Sequence, residues 1–299
     1  MKNGSLRSNR NTKYIILFLL PVTVLLTVFF IYPIISILVL SFTEWNGIEP
    51  ITFIGLNNFS ELFGNRVFRT SIFNNLVWAL SAALLQVPLA CVIALILARE
   101  VKGWRTFRTL FFLPNVISLV ALAMLWRAMY NPEFGVINNL LGVIGLEHLA
   151  RNWLGELNTA LPAVIFSYQI YIGYFMVIIL AGALSIPKTL YEAAEIDGAN
   201  VLQQEIYITL PSIRGVIVTA GTLAVAYALR QFETTFLMTA GGPANRTPVL
   251  GLYMYRQMAG FHYGKAAATG ILMIVLGVFV ITGLQKIFGK TDAAADSIQ

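Results

Sequence analysis

The chain has 299 residues, 58% of them hydrophobic and only 11% charged, with a formal net charge of +6. A soluble domain carries roughly 25% charged residues, so this composition excludes a fold surrounded by water and predicts an integral membrane protein. The basic residues fall in short clusters between apolar runs, as positive-inside topology places them, and form no single patch for nucleic acid.

A helix needs about 20 mostly apolar residues to cross the hydrocarbon core. Residues 1–13 read as a basic tail with Lys2, Arg7, Arg10 and Lys13. The uncharged run 14–42 follows. It is longer than a signal-peptide core of about 7–15 residues and closes on no small-residue cleavage site, so it reads as a retained first span with Pro21 and Pro33 as possible kinks. Residues 43–70, with Trp45, Gly47 and Pro50, connect it to a second span at about 71–98. Arg99, Lys102, Arg105 and Arg108 lead into a third span at about 109–130. A segment containing "NPEFGVINNLLGVIGL" and Trp153 precedes a fourth at about 160–187. A charged loop at 188–212 leads to a fifth at about 213–238. "TAGGPANRTP" then precedes a sixth at about 266–288, and residues 289–299 form a tail. With the N-terminus inside, the inner segments gather 12 of the 20 Lys and Arg residues. The expected fold is therefore all-α, with six transmembrane helices and both termini cytoplasmic.

The loop "YEAAEIDGANVLQQEIYITLP" (Tyr191 to Pro211) concentrates Glu192, Glu195, Asp197 and Glu205 in a chain with 14 acidic residues. Thr189-x-x-Glu192 and Asn200-x-x-Gln203 both have capping-box spacing. Gly198 between them can take the left-handed conformation that ends a helix, and Pro211 stops or kinks the next one. Two short helices around a turn are expected. Tyr191, Ile196, Ile206 and Tyr207 would lie at a surface with few apolar neighbours, which favours a docking element over a linker.

Other chemistry is sparse. No G-x-x-x-x-G-K-[ST] loop occurs; Gly264-Lys265 and Gly289-Lys290 lack the upstream glycine and the following Ser or Thr. No Ser/His/Asp set or carboxylate pair stands in a plausible pocket. Cys91 is single, and His148 and His262 are isolated, so no metal site is expected. The chain reads as a non-enzyme that binds no cofactor of its own. Ionisable and polar residues within spans are functional candidates because lipid exposure is costly. On an unbroken fifth helix Arg230 and Glu233 would pair at i, i+3, and Tyr227, Arg230, Gln231 and Thr234 would form a stripe. Ser167, Tyr171 and Tyr174 would form another on the fourth, beside Tyr168 and Gln169. These stripes fit either a hydroxyl-recognising translocation path or interhelical glue. Gln86, Asn115 and Trp126 are further path candidates.

"EAA" at 192–194, Gly198 and "LP" at 210–211 resemble the cytoplasmic loop of permease subunits in binding-protein-dependent ABC importers. The fuller "YEAAEIDGAN" is similar to the carbohydrate-uptake, maltose-type class. "FIGLNNF" at 53–59, "GVINNLL" at 135–141, "TAGGPANRT" at 239–247 and "YGKAAATG" at 263–270 agree in order. The sequence shows neither the extra N-terminal helices nor the large outer domain of the F-type maltose subunit, and is more similar to six-helix subunits. The resemblance implies that Glu192, Ala193, Ala194, Asp197, Gly198, Leu210 and Pro211 couple to an ATPase. It further implies two separate ATP-binding subunits carrying ATP and Mg, and a second permease subunit, usually a different chain. An extracytoplasmic solute-binding protein, a sugar substrate and a place in the bacterial cytoplasmic membrane complete the set. An importer for a polyol or glycerol-phosphate-type solute is the alternative. An ion-coupled secondary transporter would show inverted repeats that this sequence lacks, and a membrane scaffold would leave the stripes unexplained.

Overall fold

The computed structural model describes residues 5–288, with side chains from Tyr14 onward. Among the described residues, three helices are long and apolar enough to cross a membrane: α1 (Tyr14–Leu40), α3 (Arg66–Ala98) and α14 (Tyr263–Phe288). Three bent pairs pass the same test: α4 (Trp104–Asn115) with α5 (Leu119–Met129), α7 (Ala160–Gln169) with α8 (Gly173–Leu184), and α10 (Val201–Ser212) with α11 (Arg214–Leu229). The remaining helices are α2 (Asn57–Gly64), α6 (Val136–Val143), α9 (Lys188–Ile196), α12 (Glu233–Thr239) and α13 (Leu250–Ala259).

The chain divides into two compact units. The first comprises Met1–Gly64 and Met254–Leu272. Here β1 (Thr43–Glu44) pairs antiparallel with β2 (Thr52–Phe53). The buried Asn58 amide donates to the Ser41 carbonyl at 2.9 Å and the Thr43 carbonyl at 2.8 Å. Gly264 lies against the Thr43 carbonyl, where a Cβ would collide. Lys265 pairs with Glu61 at 2.6 Å and holds that carboxyl below the usual carboxylate range. A cavity of about 370 Å³ opens beside this contact, lined among others by Glu44, Trp45, Asn57 and His262.

The second unit comprises Asn65–Tyr253 and Met273–Gln299. Its buried core contains Trp78, Val164, Met176 and Ile179, together with Ala90, Ala94, Ala220, Ala224 and Ala228. Small residues let membrane helices approach closely, which is how such bundles associate without a hydrophobic driving force between them. Asn65 caps α3, accepting from the Val67 and Phe68 amides.

Among the described residues π-turns interrupt the α-helices at Thr27–Ile31, Ala82–Gln86 and Glu205–Thr209. A proline follows each by two residues: Pro33, Pro88 and Pro211. A proline ring clashes with the carbonyl four residues earlier. Those carbonyls belong to Phe29, Leu84 and Tyr207, the middle residue of each turn, and widening the helix there relieves the clash. The first span consequently continues through Pro33 as one helix.

The later spans differ from unbroken rods. The third bends by 93° between Asn115 and Leu119, just after Pro114 tightens the chain and where Ser118 restarts it by accepting from the Ala121 amide. The fourth bends by 42° ahead of Gly173. A Cβ on Gly173 would strike the Phe111 carbonyl and the Asn115 amide, so only glycine admits α4 there. In the fifth span α11 ends at Leu229, and Arg230–Phe232 separate it from α12. α3 begins at Arg66 and α14 at Tyr263, earlier than the apolar runs alone suggest.

Candidate functional site

Breaking helices inside a bilayer frees backbone groups that no water can satisfy. In this chain α3 supplies the partners. The Asn75 amide donates to the Leu229 carbonyl at 2.8 Å, and its carbonyl oxygen accepts from the Leu250 amide at 2.7 Å. Asn74 donates to the carbonyls of Arg246 and Pro248 at 2.9 and 2.7 Å. One π-turn further along, Gln86 donates to the carbonyls of Tyr168 and Tyr171 at 3.4 and 3.2 Å, at the break of the fourth span.

Around that break a polar knot forms. Tyr168 meets Trp78 edge-on at 5.4 Å and stacks on Tyr171 at 5.3 Å. Gln231 reaches the Tyr168 side chain and accepts from Thr234 at 3.2 Å. Gln169 donates to the Ser81 hydroxyl at 3.1 Å. Trp78 Nε1, Gln86 Oε1, Gln169 Oε1, the Tyr171 hydroxyl and Thr235 Oγ1 are buried without a hydrogen-bond partner. So many orphaned polar atoms mark a region with unused hydrogen-bonding capacity.

The two expected stripes are rearranged. Because the helix stops at Leu229, Tyr227 and Arg230 do not share an unbroken helix with Gln231 and Thr234. Arg230 and Glu233 are exposed and lie on either side of the break, and among the described residues they form no ion pair with each other. Gln231 and Thr234 turn inward to the knot, whereas Tyr227 meets Tyr174 edge-on at 6.2 Å. Ser167 is buried and donates to the Val164 carbonyl at 2.7 Å. Asn115 is half-buried against Gly173. Trp126 is buried in a different aromatic group, stacked on Tyr130 at 5.3 Å and edge-on to Phe166. Reading residue types alone missed Asn74, Asn75, Trp78 and Ser81; their signal is a set of polar groups in an otherwise uncharged span.

At the other site, α9 and α10 form an elbow. α9 starts at Lys188 with Pro187 before it and no side-chain cap. The expected Thr189–Glu192 box is therefore absent, because Thr189 already lies inside the helix. The Gly198 amide donates to the Glu195 carbonyl and the Ala199 amide to the Ala194 carbonyl. That is a Schellman closure, and it places Gly198 at φ +81°. Asn200 and Gln203 form a complete capping box for α10. Glu192, Ala193, Asp197 and Pro211 are exposed, while Ala194 and Leu210 are half-buried. Ile196 is 87% exposed and Tyr207 76%. Behind the elbow, a cavity of about 530 Å³ is lined by Arg99, Lys188, Tyr191, Glu195, Glu205 and Thr209 among others. Tyr191 and Thr209 hydroxyls bond at 2.9 Å across the elbow.

Residues 86–291, which contain the elbow and five of the six bent or straight spans in whole or part, match the family described as "Binding-protein-dependent transport system inner membrane component". The chain belongs to this family. The permease is 37% identical over 292 residues to "Probable ABC transporter permease protein YurN" of Bacillus subtilis, covering 95% of this chain and 98% of that one. It is 34% identical to "Lactose transport system permease protein LacF" of Rhizobium radiobacter, covering 90% and 91%. It superimposes on a chain of a crystal structure of a bacterial ABC transporter involved in importing the acidic polysaccharide alginate. That match has a TM-score of 0.83 and 26% identity, over 95% of this chain and 98% of the other. A second alginate transporter structure, in complex with an alginate pentasaccharide-bound periplasmic protein, gives a TM-score of 0.81 at 26% identity, covering 95% and 96%. The six-span permease architecture is thus that of an ABC importer. Among the described residues of this permease no group of three His, Cys, Asp or Glu side chains is placed to hold a metal.

Proposed function

We propose that this permease is one membrane-spanning half of an ATP-driven importer that carries a mono- or oligosaccharide across the bacterial cytoplasmic membrane. Separate ATPase subunits, carrying ATP and Mg, dock on the α9–α10 elbow at the cytoplasmic face. The observation that carries this reading is the elbow itself. Gly198 holds two short helices around a tight turn, and Ile196, Leu202 and Tyr207 lie exposed on them. Exposed apolar side chains rimmed by acids are the composition of a docking surface. Glu192, Ala193, Ala194, Asp197 and Gly198 form its leading edge, and Leu210 and Pro211 join it to the fifth span. Saccharide as the substrate class follows the lactose-named relative and the alginate importer.

In this reading a second permease subunit, a related but different chain, faces this one across the path. A solute-binding protein delivers from outside, a partner supported by the alginate transporter's complex with an alginate-bound periplasmic protein. Tyr168, Gln169, Tyr171, Tyr227, Gln231 and Asn115 are the path residues; the Tyr168 knot offers hydrogen-bonding groups and flat rings, the two things a sugar's hydroxyls and C–H faces need. Trp126 and Glu233 have weaker placements for that role. The test is the assembled complex with Glu192→Lys. Loss of ATPase subunits on purification, or hydrolysis without import, is expected. Normal import by that variant would remove the elbow from the docking role.

Arg230 favours a second substrate reading. It is exposed at the helix break and, among the described residues, has no acidic ion-pair partner, so a solute bearing a carboxylate or phosphate would find a counter-charge there. Comparing neutral, uronate and polyol-phosphate ligands for stimulation of ATP hydrolysis separates the two.

A further inference from the structure

Arg99 stands at the C-terminal end of α3, 106 residues from Glu205 along the chain. Its guanidinium nevertheless makes three contacts to α10. Nε donates to Glu205 Oε1 at 2.7 Å, and Nη2 donates to the Val201 carbonyl at 3.2 Å and to Gln204 Oε1 at 3.3 Å. We propose that Arg99 clamps the elbow to the second span, so that elbow displacement is delivered to α3 as well as to the spans it continues into. This positioning role rests on the docking reading above.

Three observations support the clamp. A planar fork with five donors can hold several acceptors at once, which a lysine ammonium on a flexible stem cannot do with the same geometry. The contact is not a screened surface pair, because the Glu205 side chain is 14% exposed and that of Arg99 30%, and Gln204 is buried. Its position also matters mechanically. Glu205 opens the π-turn Glu205–Thr209, and a 70° bend at Ile213 follows. The elbow is therefore tied to α3 just before the stretch that bends, and α3 is the span that carries Trp78, Ser81 and Gln86 into the polar knot. A push on the elbow reaches that knot through Arg99.

Glu205 Oε2 is buried with no hydrogen-bond partner, so Arg99 is the one cation paired with this carboxylate among the described residues. Removing Arg99 alone leaves a part-buried charge without compensation, and removing both partners does not. This asymmetry separates a charge clamp from a merely space-filling contact.

The test uses the complete complex in lipid vesicles. Spin labels are placed through Ile96→Cys and Val201→Cys, both exposed positions; native Cys91 is buried. In the resting complex the label distance is expected to be narrow, and to broaden in Arg99→Ala. Import per ATP hydrolysed is expected to fall by about fivefold or more, within the usual range of coupling energies. Glu205→Gln added to Arg99→Ala should restore stability of the complex but not the import ratio. The exchange Arg99→Glu with Glu205→Arg should recover part of the ratio. An unchanged distance distribution in Arg99→Ala, or an unchanged import ratio with ATPase subunits bound, overturns the clamp. Cross-linking of the ATPase to the elbow is measured in the same preparations. Its absence alongside a broadened distance would overturn the docking reading and leave the fastening of α10 to α3 standing.

Discussion

At the helix breaks that α3 meets, side-chain amides are committed to backbone groups: Asn75 to Leu229 and Leu250, Gln86 to Tyr168 and Tyr171. In the elbow the arrangement is reversed. The backbone satisfies itself through the Schellman closure at Gly198 and the Asn200–Gln203 box, and Glu192, Asp197, Ile196 and Tyr207 remain exposed. The two regions use similar residue types in different surroundings. Where they are buried, a polar side chain first completes the fold. Where they are exposed, the fold completes itself locally and the side chains stay free of it.

Mutations can break or sharpen that contrast. The largest effect is expected from Asn75→Ala, which leaves a carbonyl and an amide buried without partners. At about 1–3 kcal/mol for each orphaned group, the purified complex should melt at a clearly lower temperature. An unchanged melting temperature would remove the structural role assigned to Asn75. Gly173→Ala comes next, because its Cβ meets the Phe111 carbonyl and the Asn115 amide. Overpacking of this kind costs about 1–3 kcal/mol and should reduce the yield of assembled complex. Gly198→Ala separates space from conformation. Nothing lies within 4 Å of the added Cβ, yet φ is +81°. Left-handed strain of about 1–2 kcal/mol is expected, with Gly198→Asn milder, as differential melting would show.

The smallest effect lies in the first unit. Glu61 is half-exposed, and its carboxyl is held low by the Lys265 hydrogen bond first, then by the same residue's charge. A folded value below the unfolded one means the contact stabilises fully above the ordinary Glu value, about pH 4.3. It weakens as pH falls through the lowered folded value. Screening keeps the contribution small. Hydrogen exchange in α2 should accelerate in strong acid, and Glu61→Gln should remove that step.

Much of this was legible from residue order. Six apolar runs gave the spans, and Gly198 with Asn200 and Gln203 gave the turn and second helix of the elbow, because caps and left-handed glycines are local. The helix breaks were not legible. Gly173 is required by the backbone of α4, far away in sequence, and the end of the helix at Leu229 is stabilised by Asn75 on another span. Periodicity assumes an unbroken helix, so it drew Tyr227, Arg230, Gln231 and Thr234 into a stripe that the chain divides between two places. The Thr189 box fails for a local reason: Pro187 already occupies the N-cap, two residues ahead of it.

The π-turn at Ala82–Gln86 has a consequence for phase. Trp78 and Gln86 both face the break of the fourth span, one against the Tyr168 ring and the other on the Tyr168 carbonyl. Eight residues apart on a regular helix, they would point about 80° away from each other at 100° per residue. One extra residue in the turn returns them to within roughly 20°, as a seven-residue spacing would. Pro88 thus acts on the helix as a frameshift acts on a message, and everything beyond it is read one place late. Replacing Pro88 with alanine while also deleting one residue of the turn should therefore preserve the alignment better than either change alone.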